Sequence, residues 1–167
     1  MANAIVALAN ITLTSAQPSV IFSNIPSTGY SYLRLVVSKK LTAQANSYIR
    51  FNGDTAGNYY SVGMGFNWQP VTGSFTANAD TAIADHWGYG STPDGSTSYI
   101  DIFNYAATGV PKTSLVRFNG MTTDGQWGMD LMAARWSGSS AITSITISLS
   151  TGQFDIGSTF SLYGVIG

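Results

Sequence analysis

A period of two in the apolar residues is the feature of this chain that most restricts its fold. In "SITISLS" at 144 to 150, Ile145, Ile147 and Leu149 alternate with Ser and Thr, as in a strand with one buried and one solvated face. Six further segments are equally short, rich in β-branched and aromatic residues, and bounded by Gly, Pro, Asn or Ser: 19 to 26, 32 to 38, 47 to 51, 99 to 105, 114 to 118 and 159 to 165. Short strands at this spacing, without a convincing helix, predict an all-β sandwich or barrel.

One segment, "QWGMDLMAARW" at 126 to 136, fits two periods. Alternate residues from Trp127 to Ala133 fit one face of a strand, while Met129, Met132 and Trp136 also fit a helical stripe. We predict a strand here.

The size of the chain, 167 residues and 17.7 kDa, suits one domain. No Pro-rich linker or block of charge divides it, so we predict a single domain over 1–167. From Gly63 to Ser96, "GMGFNWQPVTG" and "HWGYGSTPDGS" crowd Gly, Pro and aromatic residues around a weakly alternating segment. This composition predicts an irregular, loop-rich excursion at about 63–96, exposed at the surface.

Charge is scarce in this sequence. Charged residues make up 9% of the chain, Glu is absent and the net charge is −1, so no basic footprint indicates nucleic acid or an anionic membrane as a partner. The N-terminal "MANAIVALANITLTS" lacks the Lys or Arg of a signal peptide, and no apolar run has the length of a membrane helix, so we expect a soluble protein without a signal peptide. So little charge is unusual for a free monomer surface and indicates that partners cover part of it.

The tetrapeptide RFNG occurs twice, at 50–53 and at 117–120. In both copies the alternation puts Phe51 or Phe118 on the face opposite the Arg, and Asn-Gly then favours a turn. A phosphate-binding loop would need a following helix and a Lys, which neither copy has. We predict two strand ends that need the same turn.

Residues that could carry chemistry are few. His86 is the sole His and Cys is absent, which excludes a zinc site of the usual ligand set. No nucleophile elbow accompanies His86, and Asn52, Asp54 and Asn58 lack the spacing of a calcium loop and are explained by turns. We predict no catalytic residue, no metal site and no cofactor.

Three aromatic residues inside the excursion, Trp68, Trp87 and Tyr89, are the candidate contacts. Exposed aromatics on loops stack on sugar rings or anchor protein interfaces. The alternative is that they fold back as a lid over one end of the sandwich.

Five segments carry a resemblance to a known family: "SVIFSNIPSTGYSYLRLVVS", "YIRFNGDTAGNYY", "YIDIFNYA", "AITSITISLSTGQF" and "FSLYGVIG". In order and spacing they resemble small virion structural proteins of tailed phages, common in cyanophages and marine phages, which occur as capsid decoration (cement) proteins, head fibres or tail-fibre domains. The resemblance implies a jelly-roll-like β-sandwich, usually assembled as a homotrimer, and carries over no catalytic residue.

Within that family the resemblance leaves two roles. The strand pattern begins almost at Met1, with no preceding shaft or tail attachment, which favours a decoration protein that binds the major capsid protein on the outside of the virion after synthesis in the host cytoplasm. The alternative is a receptor-binding fibre module that binds glycans through Trp68, Trp87 and Tyr89.

Overall fold

Two antiparallel β-sheets and no helix make up the described residues of the computed structural model, which are 4–67, 72–85, 95–121 and 127–167. The strands are β1 (Ala4–Thr12), β2 (Ser19–Phe22), β3 (Tyr32–Lys39), β4 (Ser47–Phe51), β5 (Tyr59–Asn67), β6 (Thr72–Asp80), β7 (Ile83–Ala84), β8 (Ser96–Phe103), β9 (Lys112–Met121), β10 (Trp127–Trp136), β11 (Ile145–Leu149) and β12 (Thr159–Ile166). The prediction of an all-β sandwich is confirmed.

The strand order is that of a jelly roll with an addition. The larger sheet runs β1-β12-β3-β8-β9-β10-β5-β6 and the smaller runs β2-β11-β4-β7. The orders β1-β12-β3-β8 and β2-β11-β4-β7 are those of the two four-stranded sheets of a jelly roll, and the chain crosses repeatedly from sheet to sheet as in a double Greek key. The other four strands, β9-β10-β5-β6, continue the larger sheet beyond β8. We call them the extension.

The core lies between the two sheets. Leu33, Leu35, Ile100 and Ile102 of the larger sheet and Ile49, Phe51, Ile145 and Ile147 of the smaller sheet are all at most 1% exposed. Their alternate neighbours point outward, so period two is the period of burial. The predicted row on β11 is buried at Ile145 and Ile147, and Leu149 packs against the core while partly buried.

The two RFNG copies differ. Asn52 and Gly53 take left-handed backbone angles, with φ of 53° and 68°, and end β4 in a turn as predicted. Asn119 and Gly120 instead continue β9 to Met121, paired with β10, so the prediction of a turn is wrong for the second copy. Gly120 is required there for space, because a Cβ would lie 2.5 Å from the Phe118 ring.

The stretch at 63–96 is also more regular than the sequence suggested. It contains the end of β5, all of β6 and β7, and the start of β8, so the prediction of an irregular excursion is wrong for its described residues. The residues of β6 form a strand despite their weak alternation, because β5 supplies the hydrogen-bonding partner. Residues 127–136 of the ambiguous segment, by contrast, form the predicted strand as β10.

Candidate interaction surface

A large apolar surface lies on the outer side of the larger sheet, the side that faces away from the smaller sheet. Of the fifteen large hydrophobic residues exposed in the described part of the chain, nine lie here, on β5, β8 and β10. They are Tyr60, Val62, Met64, Phe66, Tyr99, Phe103, Trp127, Met129 and Leu131. We call this surface, together with the outward residues of β9 between them, the apolar face.

Strand register brings these side chains into rows across the sheet. Met64 pairs with Leu131, Leu131 with Arg117, and Arg117 with Tyr99. The next row on one side pairs Phe66 with Met129. Because directly opposed side chains on one sheet face touch or nearly touch, the rows merge into one continuous surface.

The inner side of the same strands explains why the large apolar residues point outward. Along β10 the buried positions include Gly128, Asp130 and Ala134. Along β5 the inward positions include two partly buried glycines without room for a side chain: a Cβ on Gly63 would lie 2.6 Å from the Phe75 ring, and one on Gly65 2.5 Å from the Asp130 carboxylate. A register slip by one residue would force the large side chains into this space, so the outward direction is set by packing.

A charged cluster borders the apolar face at β8 and β3. Arg34 donates to both carboxylate oxygens of Asp101, at 2.6 and 3.0 Å, and Arg117 donates to the same carboxylate at 3.1 Å. The hydrogen bond to Asp101 raises the pKa of Arg34. The Arg117 guanidinium, about half exposed, also lies 5.8 Å from the centre of the Tyr99 ring.

The opposite border, on β6, is polar. Ser74 and Thr76 pair with Met64 and Val62, and both are exposed. Between the borders the surface is shallow: a depression of about 330 Å³ lies among Phe66, Tyr99, Met129 and other residues of the apolar face. The geometry is that of a broad contact surface with an apolar centre and a polar rim.

A second polar cluster is buried between the sheets. The Lys39 ammonium contacts Ser47 and the Asp85 carboxylate, and Ser98 donates to that carboxylate at 2.7 Å. Burial lowers the pKa of Lys39, against the opposing effect of Asp85. Lys39 and Asp85 are 1% and 2% exposed, so this cluster ties β3 and β8 to the smaller sheet and is closed to a substrate.

The residues considered above as calcium ligands instead make hydrogen bonds that stabilise the turn after β4. The Asp54 carboxylate accepts hydrogen bonds from the Trp136 indole at 2.7 Å, from the Asn58 amide at 2.8 Å and from the Ala56 backbone at 2.9 Å. Asn52 accepts from the backbone of Thr143 at 2.8 Å. Among the residues that the structure describes, no three His, Asp or Glu side chains are grouped to hold a metal ion.

The predicted contacts Trp68, Trp87 and Tyr89, and also His86, lie outside the described residues. The surface that the structure does reveal was missed by the sequence analysis, which placed its candidate contacts at Trp68, Trp87 and Tyr89 and left the exposed side of β5, β8 and β10 unassigned. One signal was present: in "YSVGMGF" at 60–66 large apolar residues alternate with Ser and Gly, which are poor core residues, and "GMDLMAA" at 128–134 alternates in a similar way.

No protein-family model, curated protein or solved structure is significantly similar to this chain. Nor does the described part of the chain contain a helix long and apolar enough to cross a membrane.

Proposed function

We propose that this protein is a non-enzymatic structural component of a phage virion, a capsid decoration protein that binds the outside of the head as a homotrimer and stabilises it. The observation that carries the structural role is the apolar face, because an exposed surface of this size and composition on a soluble domain marks a site of protein contact.

The fold supports the same role. The jelly roll needs only eight strands, yet four more extend the larger sheet, and most of the apolar face lies on this extension. Strands with an apolar outer side are better suited to contact with another protein than to contact with water. Low charge over the whole chain fits a protein that works in an assembly.

The capsid as the site of assembly rests on the sequence resemblance to phage virion proteins. A decoration protein stabilises a capsid because it binds the assembled shell and not the separated subunits, so its binding free energy adds to that of assembly. No covalent step is required.

Counting copies on purified virions by quantitative mass spectrometry tests the proposal. A decoration protein is present in copy numbers comparable to those of the major capsid protein, and capsids heated with it should break at a higher temperature than capsids heated without it. A few copies per particle, or equal breakage temperatures, would exclude decoration and favour a fibre.

The second candidate is a receptor-binding module of a head or tail fibre that recognises glycans. Tyr99 favours it, because its ring is 44% exposed beside the Arg117 guanidinium, and exposed aromatics with polar neighbours suit sugar rings. Binding to host polysaccharide that is lost in a Tyr99→Ala variant would support this function over decoration.

A further inference from the structure

We propose that the apolar face is the contact through which copies of this chain associate with one another. The inference deepens the proposed structural role by assigning the partner of this surface, and it rests on that role. The occupant it names is a second copy of the chain.

The available area matches such a contact. The nine large side chains of the apolar face are each 37–56% exposed. Since large side chains present about 150–250 Å² each, together they offer roughly 800 Å² of largely apolar surface. That is about the area that one partner contributes to a standard stable interface.

The composition of the face also fits an interface between proteins. Most of its side chains are Tyr, Phe, Trp, Met or Leu, and its charged groups are arginines: Arg117, on β9 between Tyr99 and Leu131, lies 5.8 Å from the centre of the Tyr99 ring, and Arg135 lies 6.0 Å from the centre of the Tyr60 ring. Aromatic residues, Met and Arg are the types enriched at interface centres, while Lys, Glu and Asp are depleted there. The Asp101 carboxylate beside the face is already paired with Arg34 and Arg117.

A copy of the chain is the favoured occupant for two reasons. The surface is broad and shallow, so it fits another extended protein surface better than a small ligand or a single inserted side chain. A copy is also present from synthesis onward, in equal number, and the net charge of −1 provides almost no repulsion to keep copies apart.

A pair of variants on opposite sides of the molecule tests the inference. Leu131→Asp places a charge at the centre of the apolar face, whereas Ile21→Asp places one at an apolar residue of similar exposure, 57% against 44%, on the outer side of the smaller sheet. The mass of each protein in solution is measured by light scattering and sedimentation over a concentration series, and circular dichroism and urea unfolding show that each variant is folded.

We expect an oligomer for the unmodified chain and for Ile21→Asp, and at least about 100-fold weaker self-association for Leu131→Asp, because a buried unpaired charge costs several kcal/mol. A monomeric unmodified chain at about 100 μM overturns the inference. So does an oligomer that Leu131→Asp leaves intact, or one that both variants dissociate equally.

Cross-linking gives a second test that does not depend on a destabilising charge. Because the chain has no Cys, Ala133→Cys at the centre of the apolar face and Thr146→Cys on the smaller sheet each create a single thiol. A short bis-maleimide should link copies through Cys at 133 and not at 146, and the reverse result overturns the inference. A monomer that still raises the breakage temperature of capsids would leave the proposed decoration role standing and remove this inference together with the homotrimer. A face-dependent oligomer that does not bind capsids would keep this inference and remove the decoration role.

Discussion

The outer sides of the two sheets differ although both belong to alternating strands. On the smaller sheet the outward residues are mostly polar: Arg50 donates to Ser148 at 3.0 Å and to the Thr81 carbonyl at 3.0 Å, and Thr146 lies between Arg50 and Ile21. On the extension of the larger sheet the outward residues are mainly large and apolar. The first side is polar and suited to contact with water, whereas the second exposes large apolar side chains, for which we propose a partner. The alternation of residue types therefore indicates that a strand has two different sides. It does not indicate that one of those sides faces water.

The inner sides differ as well. Between the two sheets the core is apolar, but near the junction with the extension polar groups also join the sheets. One such connection is the ion pair of Lys39 and Asp85. Another is the hydrogen bond that the Tyr59 hydroxyl accepts from the Phe51 backbone N–H at 2.9 Å. The predictions below test these contrasts, in order of decreasing effect.

The largest contrast is expected across a single strand of the smaller sheet. Ile147→Asp should lower the free energy of unfolding by more than about 4 kcal/mol, because it buries an unpaired charge at a position that is 1% exposed. Thr146→Asp, on the outer side beside Arg50, should change it by less than about 0.5 kcal/mol. Urea unfolding measures both. Equal losses would mean that the outer side of the smaller sheet is covered too, and the contrast between the two outer sides would fail.

The two adjacent lysines provide the next contrast. Lys39→Met should cost about 3–5 kcal/mol, because it removes the cation that faces the buried Asp85 carboxylate. Lys40→Met is the matched control, since Lys40 is exposed, and its effect should be within about 0.5 kcal/mol. Chemical unfolding at neutral pH distinguishes them. A Lys39→Met protein as stable as the unmodified chain would show that the ion pair contributes nothing to the junction.

Tyr59 makes the stability of the junction depend on alkaline pH. Burial raises its pKa from 10.0 to about 12, so the folded state holds the phenolic proton more tightly than the unfolded state. The resulting stabilisation is present below pH 10 and is lost as the pH rises through 12.

Tyr59→Phe should cost about 1–3 kcal/mol at neutral pH, because the Phe51 N–H loses its acceptor, and should flatten the fall in stability between pH 10 and 12. Unfolding curves at several pH values measure both effects, with Tyr60→Phe on the apolar face as control. An unchanged pH profile in Tyr59→Phe would rule out this connection as the source.

The smallest effect is expected on the apolar face itself. In the Leu131→Asp background, where association is removed, Val62→Thr should change the stability by less than about 0.5 kcal/mol, because Val62 is 55% exposed. Val116→Thr, on the inner side of the same sheet and fully buried, should cost about 1–3 kcal/mol for its unpaired hydroxyl. Similar losses would show that the chain itself covers the apolar face.

Much of the fold was predictable from local pattern. Ile145 and Ile147 are buried where the alternation put them, and residues 127–136 form the strand that was predicted although a helical stripe also fitted them. Asn52 and Gly53 form their turn because both tolerate a positive φ. The predictions that were wrong, at Asn119 and Gly120 and in the described part of 63–96, concern elements whose neighbours override weak local preference.

What the sequence determined by itself is that each strand has two chemically distinct sides, because side chains alternate across a pleated backbone whatever it pairs with. Only the tertiary structure decided which side is covered. Trp127, Met129 and Leu131 form as regular a row as Ile145 and Ile147, yet the first row is exposed and the second is in the core. The difference arises because β11 turns its apolar row toward the core between the sheets, whereas the inner side of the extension is already occupied by Phe75, Val116, Met132 and Trp136 and leaves no room for side chains at Gly63 and Gly65. Strand order and layer position are set by contacts far apart in the chain, which local periodicity does not record.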